Sequence, residues 1–400
     1  MALITDRLAP GSLAAARPGH GLAGRLAFAL IVAYAIFLGA SFSAGAWLKN
    51  SSGETIQTDF VNVWAAGRLV TAGTPADVYD WPTHKAVEEA AVGHPFDKYF
   101  GWHYPPPFLF VAALLSLLPY LAAFFVWMAL TLPAYAVVIR TVVGERIGVW
   151  LACAFPGVLW NVATGQNGFL TAALLGGTLA TLEQNPVAAG VLLGLLSYKP
   201  HFGLLFPLVL AVNGYWRAFF IAAATALAMI GASRLAFGTE TWQAFFELLP
   251  LTSQLVLGGG LAGFQKLQTT FGAARLVGAD EFSAWCLHGG VAVTAAFAVL
   301  LLWRQRIPYE IKAAALATAA LLVTPYLYAY DLVALAVPMA FLIRLGLRRS
   351  FWPHEIAMLG LASALVLIAP VVDVPTGLAA VLLTALVVGR RGFAYARAAG

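Results

Sequence analysis

Asp59 and Asn62 stand three residues apart in Thr58-Asp59-Phe60-Val61-Asn62-Val63-Trp64-Ala65-Ala66-Gly67-Arg68-Leu69. On a helix that spacing puts a carboxylate and an amide on one face, leaving Phe60, Val63, Trp64 and Gly67 to lie against apolar surroundings. A carboxylate beside apolar walls has its pKa raised and can serve as a general base. The same aspartate also reads as an N-cap that starts a helix.

Four further places carry polar chemistry. Lys199, in Lys199-Pro200-His201, falls between two apolar segments. Its ammonium must therefore snorkel or meet an anion, and a lipid phosphate would satisfy it, with His201 assisting. Gly165-Gln166-Asn167-Gly168 sets two amides between glycines at a helix junction, suited to hydroxyl-rich ligands or to frayed backbone. Tyr326, Tyr328, Tyr330 and Asp331 combine aromatic faces for sugar or prenyl contact with a second carboxylate. His103-Tyr104-Pro105-Pro106-Pro107 is a stiff extended run that returns the chain to an apolar segment.

What must hold these residues is a membrane domain. The 400 residues are 61% hydrophobic and 10% charged, against about a quarter charged in soluble domains. Backbone groups left unpaired in hydrocarbon are costly, so the long apolar runs are spanning helices and the chain is an all-α polytopic membrane protein. The net charge of +5 comes from arginines in short loops between apolar runs. That is an orienting pattern for a membrane, not a footprint for nucleic acid. Cys153 and Cys286 have no metal-site or disulfide spacing, and no Walker A, GxSxG, HExxH or internal repeat is visible. No metal and no cofactor is expected.

The segments organise as a cytoplasmic tail at 1–25, one transmembrane domain at 26–390 and a cytoplasmic tail at 391–400. Apolar stretches begin with a retained helix from Leu26 to Trp47 and continue from about 107 to 390. Segment 107–118 is too short to span and reads as a partial or re-entrant helix, with the crossing at 120–142. Placing the basic loops inside then gives about twelve crossings. A first outer loop at 49–104 and a second at 238–281 result, the latter with interfacial helices around Trp242–Phe246 and Phe264–Val277. All five polar places fall on the outer face.

The ordered set Asp59-Phe60, Trp64-Ala65-Ala66-Gly67-Arg68, Val78-Tyr79-Asp80, Tyr104-Pro105-Pro106-Pro107, Gly165-Gln166-Asn167, Gly190 to Gly194 with Lys199-Pro200, and Thr324-Pro325-Tyr326 with Tyr330-Asp331 resembles glycosyltransferase family 87. The resemblance implies a GT-C-type bundle and inverting transfer of a hexose, mannose by default, from a polyprenyl-phosphate donor to a glycolipid or glycan acceptor. It puts the reaction on the outer, periplasmic face of the cytoplasmic membrane, with Asp59 as general base. It also implies that Lys199 stands near the donor phosphate and that Arg68, Gln166 and the Tyr326 to Asp331 segment belong to the substrate site. The tyrosines of that last segment stand where relatives often carry histidine or tryptophan, which leaves the sugar open.

Two other classes compete. A lipid or sugar transporter would use many crossings and helix breaks, but collects its polar groups at the midplane rather than on one face. An oligosaccharide polymerase or ligase shares the outer-face chemistry and differs in its diphosphate-linked donor.

Overall fold

The computed structural model describes residues 20–261 and 263–399. Most of the expected N-terminal tail, positions 1–19, lies outside the described residues, and the first helix, α1 (His20–Ser43), begins ahead of Leu26. Every apolar stretch read from the sequence is helical, and among the described residues the only extended pairings are isolated bridges.

The 49–104 loop holds α2 (Phe60–Thr71), a 3₁₀ turn at Pro75–Tyr79 and α3 (Trp81–Val92). Asp80 caps α3, accepting the Thr83 N–H at 3.1 Å. A short helix, α4 (Leu109–Leu115), then precedes the long α5 (Tyr120–Val143), as the partial-helix reading of 107–118 requires. Two pieces, α6 (Ile147–Ala154) and α7 (Gly157–Thr164), follow with a 59° bend between them at Phe155-Pro156. Next come α8 (Gly168–Thr181), α9 (Pro186–Leu195), α10 (Phe206–Val212) and the long α11 (Trp216–Phe237). The 238–281 loop carries α12 (Thr239–Ser253), a π-helical turn and α13 (Thr270–Leu276), matching the two helical stretches read from it. The chain ends with α14 (Glu281–Arg304), α15 (Tyr309–Val323), α16 (Ala336–Arg349), α17 (Glu355–Ile368) and α18 (Thr376–Ala399).

Helix length does not give twelve crossings. Among the described residues five helices are long and apolar enough to span, or up to six if the bent α6–α7 pair is one span. Pro156, Pro186, Pro200 and the Gly165 and Gly168 junction interrupt the rest. Apolar helices such as Gly168–Thr181 and Glu355–Ile368 reach only roughly 20 Å at 1.5 Å per residue, short of the about 30 Å of hydrocarbon. On α1, α11 and α14 large apolar side chains such as Phe28, Ile36, Leu227, Val293 and Phe297 face outward, as lipid contact demands.

Small residues set the centre of the bundle. In α15 the run Ala313-Ala314-Ala315-Leu316-Ala317-Thr318-Ala319-Ala320 is buried throughout, and this narrow helix is packed by α14, α16 and α18. Gly190 and Gly194, one turn apart on α9, do the same locally. A Cβ on Gly190 would meet the Ala218 carbonyl of α11 at 2.7 Å, and one on Gly194 would strike Thr225.

Residues 391–399, expected as a C-terminal tail, continue α18 as helix. Arg391 is buried because it donates to both carboxylate oxygens of Glu355, at 2.6 and 2.5 Å, and to the Ser350 carbonyl at 2.8 Å. That pairing holds the helix in place past the arginines that reading by charge takes as a tail.

Candidate active site

The five polar places come together on one side of the bundle. Asp59 occupies the N-cap position of α2, but its side chain makes no capping hydrogen bond. Its Oδ2 instead accepts Gln166 Nε2 at 3.4 Å. The Gln166 Oε1 accepts the Tyr104 hydroxyl at 3.2 Å, so one buried amide joins the start of α2, the Tyr-Pro-Pro-Pro segment and the α7–α8 junction.

Local sequence explains why this junction reaches Asp59. Gly165 has φ +72, and a Cβ there would overlap Phe60 and Phe124. Only glycine lets the turn pass so close to the residue beside Asp59. At Gly168 a Cβ would meet the Tyr330 carbonyl at 2.5 Å, so the second glycine admits the Tyr326 to Asp331 segment. From the other side α2 is anchored by Trp64 Nε1 to the Leu118 carbonyl at 2.8 Å and by Tyr120, whose hydroxyl lies 3.0 Å from Thr58 Oγ1.

Asp59 is half-buried in this recess. Desolvation pushes its carboxyl above the ordinary range, opposed by the Gln166 hydrogen bond and by the charges of Lys266 and Lys98. A base of raised pKa whose oxygen is not consumed by a helix cap can take a proton from a hydroxyl. Asn62, one turn on, is buried, donates weakly to the Gly101 carbonyl at 3.4 Å and leaves its Oδ1 without a partner. Asn167 is fully buried with neither amide atom partnered, although it begins α8.

Lys199 neither snorkels nor waits for an anion. Its Nζ lies 2.6 Å from Asp331 Oδ1, with 4% and 1% of the two residues exposed. The rings of Tyr330, Phe202 and Tyr104 stand 5.4, 5.6 and 5.9 Å from the ammonium. A buried lysine is tolerated when a carboxylate neutralises it, so Asp331 acts here as the partner of Lys199 rather than as a second free carboxylate. Its Oδ2 faces the Tyr328 N–H at 3.4 Å.

A model of glycosyltransferase family 87 matches residues 102–325, more than half of the chain. The chain belongs to glycosyltransferase family 87. Comparison with curated proteins and with solved structures finds no match. The apolar helices and the family together make it a membrane glycosyltransferase.

The matched span of this glycosyltransferase includes His103, Tyr104, Gln166, Asn167, Lys199 and His201, while Asp59 precedes it and Tyr326, Tyr328, Tyr330 and Asp331 follow it. Not all of these residues converge. Arg68 is exposed in the last turn of α2, over the Trp64 ring at 5.6 Å. His103 contacts Thr252 Oγ1 at 3.3 Å and the edge of Trp81, joining the 49–104 and 238–281 loops. His201 turns its ring to Phe202 and Tyr326. Tyr328 and Tyr330 stack at 5.5 Å beside the ion pair.

Sequence reasoning missed four residues that support the recess around Asp59 and Gln166. Tyr198 bonds Thr171 at 2.6 Å under Asn167, and Asn161 holds the Gln166 carbonyl at 3.3 Å. Gln268 donates its N–H to the Leu327 carbonyl at 2.7 Å, tying the 238–281 loop to the tyrosine segment. Tyr79 donates to the Tyr104 carbonyl at 2.9 Å. Tyr198, adjoining Lys199, and Tyr79, inside Val78-Tyr79-Asp80, sat next to signals already visible.

Proposed function

We propose that the protein transfers a hexose, mannose by default, from a polyprenyl-phosphate donor to a glycolipid or glycan acceptor on the outer face of the cytoplasmic membrane, within a GT-C-type bundle. The observation that carries this reading is Asp59: an aspartate at a helix start that forgoes capping and faces a recess joined by Gln166 and Tyr104. Asp59 accepts the proton of the acceptor hydroxyl as its oxygen attacks the anomeric carbon. The bond from that carbon to the phosphate oxygen breaks, its electron pair stays on the phosphate, and configuration inverts. Because the phosphate is a good leaving group, one base with electrostatic help suffices.

The buried amides of Asn62 and Asn167 carry unsatisfied groups that suit sugar hydroxyls, and the stacked Tyr328 and Tyr330 offer aromatic surface. The Lys199–Asp331 pair fixes the tyrosine segment against the Lys199-Pro200 turn, so its role in this reading is to shape the recess. Exposed apolar side chains on α12, including Phe246 and Leu249, suit a prenyl chain at the membrane boundary.

A donor panel tests the proposal. Purified protein with envelope lipid extract is expected to form product from polyprenyl-phosphate mannose or another polyprenyl-phosphate hexose and none from a nucleotide sugar or a diphosphate-linked glycan. Substrate crossing sealed vesicles without a new glycosidic bond would contradict it.

A further inference from the structure

A departing phosphate needs a cation, and the lysine the family resemblance points to is already neutralised. Lys199 is buried, and Asp331 faces it at 2.6 Å. Three other basic residues of the 49–104 and 238–281 loops are committed as well, and Lys49, exposed like Lys98 and Lys266, stands at the far end of the first loop. Arg275 donates to the Ala279 and Gly258 carbonyls at 2.9 and 2.8 Å. Lys85 donates to the Lys98 carbonyl at 2.6 Å and sits 3.1 Å from the Phe96 ring. Arg68 stacks on Trp64 at the far end of α2.

Lys98 and Lys266 differ. Both are exposed, and neither has a carboxylate partner among the described residues. Their charge is felt at the Asp59 carboxyl. Lys266 ends a 3₁₀ turn at Phe264–Lys266, and the next residue, Leu267, pairs with Tyr328. That pairing holds Lys266 at the tyrosine rim of the recess. The same loop presents the exposed apolar side chains of Phe246, Leu249, Leu251 and Leu261. A free cation between an apolar surface and a general base matches an amphiphile with a prenyl chain, a phosphate and a sugar in that order.

We propose that Lys266 binds the phosphate of the prenyl-linked donor, and that Lys199 does not. The inference rests on the reading of a prenyl-phosphate donor. On transfer the phosphate changes from a diester with one negative charge to a monoester with a second, so a cation that meets it directly favours departure. The ammonium does so from the solvent side without breaking a buried pair.

The test is retention of radiolabelled decaprenyl phosphate, against decaprenol of equal length, on the full-length protein in detergent. Wild type is expected to prefer the phosphate. Lys266→Gln is expected to lose about tenfold in phosphate affinity, the scale of one charge-assisted hydrogen bond, with decaprenol binding unchanged. Lys266→Arg should retain the preference. A wild-type preference that survives Lys266→Gln overturns the Lys266 proposal alone. So does a preference abolished in the Lys199→Met/Asp331→Leu double variant while Lys266→Gln keeps it. A wild type with no preference for the phosphate overturns this proposal together with the donor reading beneath it.

Discussion

Gln166 donates its amide nitrogen to Asp59 Oδ2 at 3.4 Å while its oxygen accepts the Tyr104 hydroxyl at 3.2 Å. A donor to the charged form lowers a carboxyl pKa, and here it opposes the stronger upward push of burial. The sign follows for kcat/KM, since the base must be deprotonated. Activity should rise with pH through an acid limb placed above the ordinary aspartate value of about 3.9. Gln166→Leu removes the opposing donor, so the limb should move to higher pH, on a plateau lowered by loss of the bridge to Tyr104. A pH profile of the two proteins checks this, and an unmoved limb would mean that another group titrates.

The Lys199–Asp331 pair predicts a stability effect distinct from chemistry. Lys199→Met leaves a buried carboxylate without its cation, which typically costs about 3–5 kcal/mol. Lys199→Met/Asp331→Leu removes both charges and should recover most of that loss. Denaturation in detergent of the three proteins measures it. A single variant as stable as wild type would contradict a buried pair.

A second titrating pair lies behind the recess. His84 and Glu88 stand one turn apart on α3, both 1% exposed, 3.5 Å from Nε2 to Oε1. Burial lowers the histidine to about 4 and raises Glu88 to about 8, with Asp59 adding to the upward push and Lys85 opposing it. The raised acid binds its proton more tightly in the folded state, so its contribution is intact below the unfolded value near 4.3 and declines as pH rises toward 8. Glu88→Gln should therefore flatten the loss of thermal stability between about pH 6 and pH 8, the upper part of the window these values set. Equal alkaline slopes for the two proteins would show that Glu88 is charged in the fold.

Gly165 permits the close pass that delivers Gln166. Gly165→Ala faces both a left-handed backbone, which costs a non-glycine residue about 1–2 kcal/mol, and overlap with Phe60 and Phe124. It should lower kcat/KM more than it lowers melting temperature relative to Ala substitution at the unconfined Gly231 of α11. Unchanged kinetics would mean that the Gln166 bridge does not matter to the reaction.

Much of this arrangement was legible in the sequence, for stated reasons. Apolar runs bounded by Pro and Gly located the helices, because backbone must be satisfied internally in lipid. Asp59, Gln166 and Tyr104 stood out as polar groups in apolar company. The count of crossings was not legible, since a proline or glycine that ends a helix does not reveal whether the next piece turns back or continues at an angle, as at Phe155-Pro156. Nor was the commitment of Lys199 to Asp331, which are 132 positions apart, or of Arg391 to Glu355. Local spacing carries no record of such pairs. The glycines around Gln166 and Asn167 read as a loose junction, yet they mark where Phe60 and Tyr330 crowd the backbone.

The most direct measurement is transfer from radiolabelled polyprenyl-phosphate mannose into an envelope lipid extract, comparing wild type with Asp59→Asn. The variant should keep the wild-type melting temperature, because the Asp59 side chain caps nothing. Its rate should fall by about 10²- to 10⁴-fold, the usual worth of a general base. Transfer by a folded Asp59→Asn protein at the wild-type rate would contradict the role given to Asp59.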